Sequence, residues 1–160
     1  MSLRYMALAG AVALMAPDGV RAQTATQVVR FEVTAINQIG ISGSPAPLAI
    51  TTATAGSAPT SVTAGGSSLA VTTNEQNKKI TAALDQPLPS GVTLEVTLAA
   101  PSGAASHDYV PLSTSGADLV TGISSTNAAS LPLTYRLSAV PQASIGVQTR
   151  TVTYTIVSGT

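Results

Sequence analysis

Apolar and polar residues alternate with a period of two along most of this chain from residue 28 onward. Successive side chains of a β-strand point to opposite faces of a sheet, so this alternation predicts strands with one apolar and one solvated face. Helical periodicity is absent beyond the first 22 residues, apart from an ambiguous stretch at residues 118–123. The first alternating run covers residues 28–36, and its apolar members are Val29, Phe31, Val33 and Ala35.

Six further runs show the same alternation, and they predict about seven short strands in all. Their apolar positions are Leu48/Ile50, Leu69/Val71, Ile80/Ala82/Leu84, Val92/Leu94/Val96/Leu98, Leu133/Tyr135/Leu137/Ala139 and Val152/Tyr154/Ile156. Clusters of Gly, Pro, Ser and Asn separate the runs, and Gly65-Gly66 is interpreted as a hairpin connection. This pattern predicts a two-layer antiparallel β-sandwich of immunoglobulin-like type, with a closed barrel as the alternative. Its large inward side chains are expected to be Phe31, Tyr135 and Tyr154.

The first 22 residues have the character of a secretory signal peptide. Arg4 precedes an apolar stretch at residues 5–16. Val20 and Ala22 are the small residues at the −3 and −1 positions of a cleavage site after Ala22. The apolar stretch is short for a hydrocarbon core of ~30 Å, although an uncleaved anchor is the alternative. Residues 23–160 are then predicted to form a single secreted domain, and no membrane association is expected once the leader is removed.

Composition excludes several classes of function. The chain has no Cys, which excludes disulfides and Cys-based zinc sites, and its formal net charge of zero excludes the basic surface of a nucleic-acid binder. Ser and Thr are abundant, and Thr favours extended backbone while giving a solvent face polarity without charge. The sequence therefore favours a β domain with little charge and no nucleic-acid partner.

No motif for catalysis, a cofactor or a metal is found. His107-Asp108 is the one pair suggestive of acid–base or metal chemistry, but the chain has a single His, and a solvated loop is the expected setting. Gly65-Gly66-Ser67-Ser68 lacks the Lys of a phosphate-binding loop, and no Asp-x-Asp-x-Asp run indicates calcium. Thr151, Thr153 and Thr155 resemble one row of an ice-binding array, although any uncharged outer face would show the same spacing. We therefore predict no enzymatic activity.

Both ends of the processed chain are predicted to be strands. The run at residues 28–36 follows a polar leader, Gln23 to Gln27, and the final run, Thr149 to Val157, ends three residues before the C-terminus. Terminal strands often lie at sheet edges, where unpaired backbone groups can accept a strand from another molecule. Residues 23–36 could therefore dock either within their own chain or on a neighbour.

The run VVRFEVTAI, the Thr/Ser/Ala/Gly-rich body and the closing RTVTYTI run together resemble secreted bacterial surface proteins with pilin-like or coat-protein-like β-sandwich domains. The resemblance implies that the segment Gln23 to Ala35 acts as a donor strand that completes a neighbouring subunit. Many usher-assembled pilins carry a disulfide, which this chain lacks, so assembly without a dedicated chaperone stays open.

These observations predict an exported, non-enzymatic structural subunit. It is expected to self-assemble into an extracellular filament or surface layer through strand complementation, with Val29, Phe31, Val33 and Ala35 at the subunit interface. The alternative is a monomeric recognition module that binds a surface glycan or protein through its loops, with Tyr109 as the aromatic residue for sugar stacking.

Overall fold

A computed structural model of the chain describes residues 23–159. The chain divides into two units, residues 1–32 and 33–160. Residues 23–32, the described part of the first unit, form no helix or strand, and all of them are exposed. No helix in residues 23–159 is long and apolar enough to cross a membrane. The signal peptide predicted over residues 1–22 lies outside the described residues.

The second unit contains two antiparallel sheets with nine strands among its described residues. In chain order these are β1 (Asn37–Gly43), β2 (Val62–Thr73), β3 (Lys78–Leu84), β4 (Val92–Leu98), β5 (Ala105–Ser106), β6 (Val110–Pro111), β7 (Ala117–Ile123), β8 (Thr126–Ala139) and β9 (Val152–Ser158). The first sheet has the order β1-β2-β8-β4-β6, and the second has the order β5-β7-β3-β9. Strands β1 and β9 are therefore edge strands of different sheets.

The core lies between the two sheets and contains apolar residues from the alternating runs and from β7. Its largest fully buried side chains come from both sheets and are Leu69, Val71, Val96, Leu98 and Leu133 in the first and Ile80, Leu119, Val120 and Ile123 in the second. All nine are aliphatic, and burying one such side chain contributes ~1.5–3 kcal/mol to folding. Their shared core makes the two sheets a sandwich.

The prediction of an all-β chain with two antiparallel layers is confirmed. Five of the predicted runs form strands β2, β3, β4, β8 and β9. The structure has nine described strands rather than about seven, because β1, the two-residue strands β5 and β6, and β7 were not counted. Strand β7 includes the stretch at residues 118–123 whose periodicity was ambiguous, and both Leu119 and Val120 are buried there. Two adjacent buried residues break the simple alternation, which explains the ambiguity.

Two predicted strands are wrong. Residues 28–36 form no strand, and the first strand begins at Asn37 instead. Phe31 is exposed rather than inward-facing. Leu48 and Ile50 lie in an irregular segment, where both are half-buried. An alternating run becomes a strand only where another strand supplies backbone partners, and no described strand pairs with either of these runs.

The interpretation of Gly65-Gly66 as a hairpin connection is also wrong, because both residues lie within β2. The register between β2 and β8 shifts between Ala64 and Ser67, so the two glycines form a bulge. Gly66 has a φ of +106°, which is a backbone conformation that favours glycine. Gly43, the last residue of β1, pairs with Ser67 and has a φ of +75°. Glycine therefore lets β1 approach the bulge closely.

Candidate functional site: an exposed apolar segment and an apolar groove

The N-terminal segment, residues 23–36, presents large apolar side chains to solvent. Val28 is 96% exposed, Phe31 is 87% exposed and Val33 is 78% exposed, and Val29 and Ala35 are also exposed. The alternation that predicted an inward face is thus real in the sequence, but nothing in the described chain buries it. Of the predicted interface residues Val29, Phe31, Val33 and Ala35, none contributes to the core.

Asn74, in the turn between β2 and β3, fixes the end of this segment. The backbone N–H of Ile36 donates to Asn74 Oδ1 at 2.8 Å, and Asn74 Nδ2 donates to the carbonyl of Thr34 at 2.8 Å. The backbone N–H of Asn74 also donates to the carbonyl of Ile36 at 3.3 Å. We call these contacts the anchor. They hold the backbone at residues 34–36 beside the β2–β3 turn.

Glu75 extends the anchor to β1 and, through Lys78, to β9. Its carboxylate accepts a hydrogen bond from Asn37 Nδ2 in β1 and forms an ion pair with Lys78 of β3, with an Oε2–Nζ distance of 2.8 Å. Lys78 Nζ in turn donates to Ser158 Oγ of β9 at 3.2 Å. A continuous set of polar contacts therefore connects β1 to β9 at this end of the sandwich.

The hydrogen bond from the Asn37 amide, followed by the Lys78 ammonium, lowers the pKa of Glu75 below its ordinary value near 4.5. A carboxyl whose pKa is lowered by folding stabilises the folded chain fully above its unfolded pKa. That contribution is lost as the pH falls through the lowered value. We expect wild type to lose stability over this acid range, and Glu75→Gln to be less stable than wild type at pH 7 with a smaller acid dependence. Urea unfolding midpoints between pH 7 and pH 3 measure both, and a constant difference between the two proteins would contradict this account.

An apolar groove of about 950 Å³ lies in the second unit, away from the anchor. Two irregular segments line it, residues 45–50 and residues 143–150, together with the ends of β4 and β8. Residues 45–50 continue the chain beyond β1, and residues 143–150 lead into β9. The groove therefore opens where the segment that follows β1 and the segment that precedes β9 meet the end of the first sheet.

Arg150 holds one wall of the groove in place. Its Nε and Nη2 donate to the carbonyl of Pro87 at 3.1 Å and 3.0 Å, and its Nη1 donates to the carbonyl of Thr149 at 2.7 Å. Upstream in the same wall, Ile145 and Val147 are fully exposed. Hydrogen bonds thus fix this wall at Arg150, while the side chains of Ile145 and Val147 face solvent.

The anchor and the groove lie at opposite ends of the sandwich. At the anchor end, Thr73 of β2 pairs with Asn37 and with Thr126. At the groove end, Val62 of β2 pairs with Leu137, one of the residues that line the groove. The 12 residues of β2 separate these two levels, a distance of ~36 Å at ~3.3 Å per residue.

The residues considered for catalysis or sugar binding are not assembled into a site. His107 and Asp108 are exposed, and residues 23–159 contain no cluster of three His, Cys, Asp or Glu side chains that could hold a metal ion. Tyr109 is half-buried, and the Arg136 guanidinium carbon lies 4.0 Å from its ring centroid, which leaves at most one ring face for a sugar. Arg136 also pairs with Glu95 at 2.6 Å. This arrangement is typical of a cation–π contact that stabilises a sheet surface.

The threonine row of β9 has no matching row on its neighbour. Thr153 and Thr155 are exposed on the outer face, and their partners on β3 are Ala83 and Thr81. Next along β3, Lys79 pairs with Asp118 at 3.0 Å. The outer face of this sheet therefore mixes Thr with Ala and with a charged pair.

The groove was not found from the sequence. Its signal is weak: Leu48/Ile50 was interpreted as a strand, Ile145 lies in residues 141–146, which were interpreted as a loop, and Val147 lies between that loop and the final run. The two pairs are far apart in sequence, so only the fold brings them to one groove. The chain matches no protein-family model, no curated protein and no solved structure.

Proposed function

We propose that this chain is an exported bacterial structural subunit that self-assembles into an extracellular filament or surface layer. In this proposal, an immunoglobulin-like sandwich forms the body of each subunit. The segment Gln23 to Ala35 of one copy adds to the sandwich of a neighbouring copy as a donor strand. Val29, Phe31, Val33 and Ala35 are then buried at the interface.

The observation that carries the proposal is the exposure of Val29, Phe31 and Val33 in an alternating segment that belongs to no strand. Monomeric proteins rarely leave contiguous apolar side chains uncovered, and such surfaces mark interaction sites. Burying these three side chains on a partner would contribute ~5–9 kcal/mol. Each backbone hydrogen bond formed with the partner would add ~0.5–1.5 kcal/mol. Strand addition would pair the free backbone groups of the segment and bury its apolar side chains at the same time.

Strand addition also gives a role to the anchor, which fixes the base of the donor segment. Asn74 and Glu75 hold the chain from Thr34 to Asn37, so the residues N-terminal to Thr34 are tethered at a fixed point. A donor fixed at its base loses less conformational freedom on docking than one tethered by a flexible linker. Export is supported by the character of residues 1–22 and by the absence of Cys from the whole chain.

The test compares the full-length sequence, expressed for export, with a variant lacking residues 23–32. We expect the unaltered chain to form polymers that are visible in negative-stain micrographs and that scatter light increasingly with concentration. The variant keeps Val33 and the anchor, so it should stay monomeric with an unchanged thermal unfolding midpoint. A monodisperse monomer at high concentration for the unaltered chain would refute the proposal.

A further inference from the structure

We infer that the apolar groove lined by residues 45–50 and 143–150 accepts the donor segment of a second copy. This inference rests on the proposed function and assigns the acceptor site on the partner. The occupant is the stretch that carries Val29, Phe31 and Val33. Copies joined in this way are related head to tail.

The groove has the surface that an alternating apolar strand requires. Its lining is mostly apolar, and Leu48, Leu94 and Leu137 are half-buried there rather than fully covered. Ile145 and Val147 alternate along one wall and are fully exposed. A strand with apolar residues at every second position can place these on the groove while its polar residues face solvent.

One wall of the groove also has free backbone groups. The backbone N–H and C=O groups of residues 144–148 make no hydrogen bond with any described residue. Residues 144–148 precede β9 in the chain, and β9 is an edge strand that pairs only with β3 among the described strands. The opposite wall contains Pro45 and Pro47, which have no N–H to donate. The donor is therefore expected to pair with the wall at residues 144–148.

Phe31 and Val33 of the same chain cannot reach this groove while the anchor is intact. Ile36 is held at Asn74, and Phe31 lies five residues before Ile36. Five residues of extended chain span at most ~18 Å, so Phe31 can lie no farther than this from Ile36. Strand β1 alone, seven residues from Asn37 to Gly43, spans ~20 Å. The groove begins beyond it, at Pro45. Covalent reach thus directs Phe31 and Val33 to the groove of another molecule.

Each copy then has one donor, which is covalently tethered at the anchor, and one acceptor groove at the other end of the sandwich. Such a contact is heterologous, since the two surfaces are different, and repetition of a heterologous contact that does not close gives an open filament. A filament of this kind is polar, with an unused groove at one end and an unused donor segment at the other.

Two variants of the full-length chain test the assignment. Phe31→Asp disables the donor, and Val147→Asp disables the groove. Both replaced side chains are almost fully exposed, so neither variant should affect folding. A carboxylate buried in an apolar interface without a partner is strongly unfavourable. We expect each variant alone to require at least about a tenfold higher concentration than wild type to assemble. Gln142→Asp, an exposed position outside the groove, is the matched control and should assemble like wild type.

An equimolar mixture of the two variants gives the decisive result. Val147→Asp keeps its donor and Phe31→Asp keeps its groove, so one contact can form and growth must stop there. Light scattering after size-exclusion chromatography should show a 1:1 dimer and nothing longer. If Phe31→Asp fails to assemble but Val147→Asp assembles normally, or if the mixture stays monomeric, the acceptor assignment is wrong and the proposed function stands. Loss of assembly in Gln142→Asp would also overturn the assignment. Normal assembly of Phe31→Asp would refute the proposed function itself.

Discussion

Gly43→Val should destabilise the sandwich by roughly 2–6 kcal/mol. Two effects add at this position. A Cβ on Gly43 would collide with the carbonyl oxygen of Gly66 and lie 3.3 Å from the Cα of Ser67, and both neighbours are backbone atoms that cannot rotate away. The φ of +75° is in addition strained for a β-branched residue. We expect a thermal midpoint lowered by several degrees or more.

Gly40→Ala is the matched control, because Gly40 lies in the same strand and a Cβ there would meet nothing within 4 Å. We expect this change to leave the unfolding free energy unchanged or slightly raised. Urea unfolding followed by circular dichroism compares the two variants with wild type. Equal losses in both would show that β1 tolerates no side chain for reasons unrelated to the bulge.

Removing one hydroxyl from the Tyr135–Tyr154 pair should cost ~1–3 kcal/mol, whereas removing both should cost less than the sum of the two single losses. The two hydroxyls lie 2.5 Å apart and connect β8 of the first sheet to β9 of the second. Burial, followed by the hydrogen bond to Tyr135, raises the pKa of Tyr154. Tyr135→Phe or Tyr154→Phe alone leaves the other hydroxyl buried without its partner, and the double variant removes both.

A double-mutant cycle measures this coupling. Unfolding free energies of wild type, the two single variants and the double variant are determined in urea at pH 7. Additive losses would contradict the coupling and indicate that water satisfies each hydroxyl separately. Tyr109→Phe serves as a control, because the Tyr109 ring contacts Arg136 while its hydroxyl makes no hydrogen bond with any described residue.

The strands that could be predicted are those whose alternation is strong and whose partners lie in the same chain. In β3, Ile80, Ala82 and Leu84 are buried as the pattern requires. Strand β1 was missed because Gly40 and Gly43 were interpreted as loop residues and because only two of its residues, Asn37 and Ile39, are half-buried. Local sequence cannot distinguish a glycine that ends a strand from one that allows close approach of a neighbouring strand.

The alternation of residues 28–36 also shows that local sequence does not decide whether a run forms a strand. Its pattern is as regular as that of β9, yet β9 is paired and the N-terminal segment is exposed. An amphipathic run forms a strand only where it can reach the edge of another strand and pair with it. Which edges it can reach depends on where the neighbouring residues of the chain are fixed. The anchor at Asn74 sets that point, and its residues carry no sequence signal of their role.

The sequence by itself determined the class of this protein, because periodicity, Thr content and the scarcity of charge act locally and need no tertiary contacts to be interpreted. It also determined which residues of the N-terminal segment share an apolar face. Only the tertiary structure decided that this face lies uncovered and that its base is fixed at the end of the sandwich opposite the groove. Those facts depend on contacts between residues far apart in the chain, such as Thr34 with Asn74 and Arg150 with Pro87. Local pattern cannot specify them because the same alternation is compatible with many pairings, and long-range packing selects one.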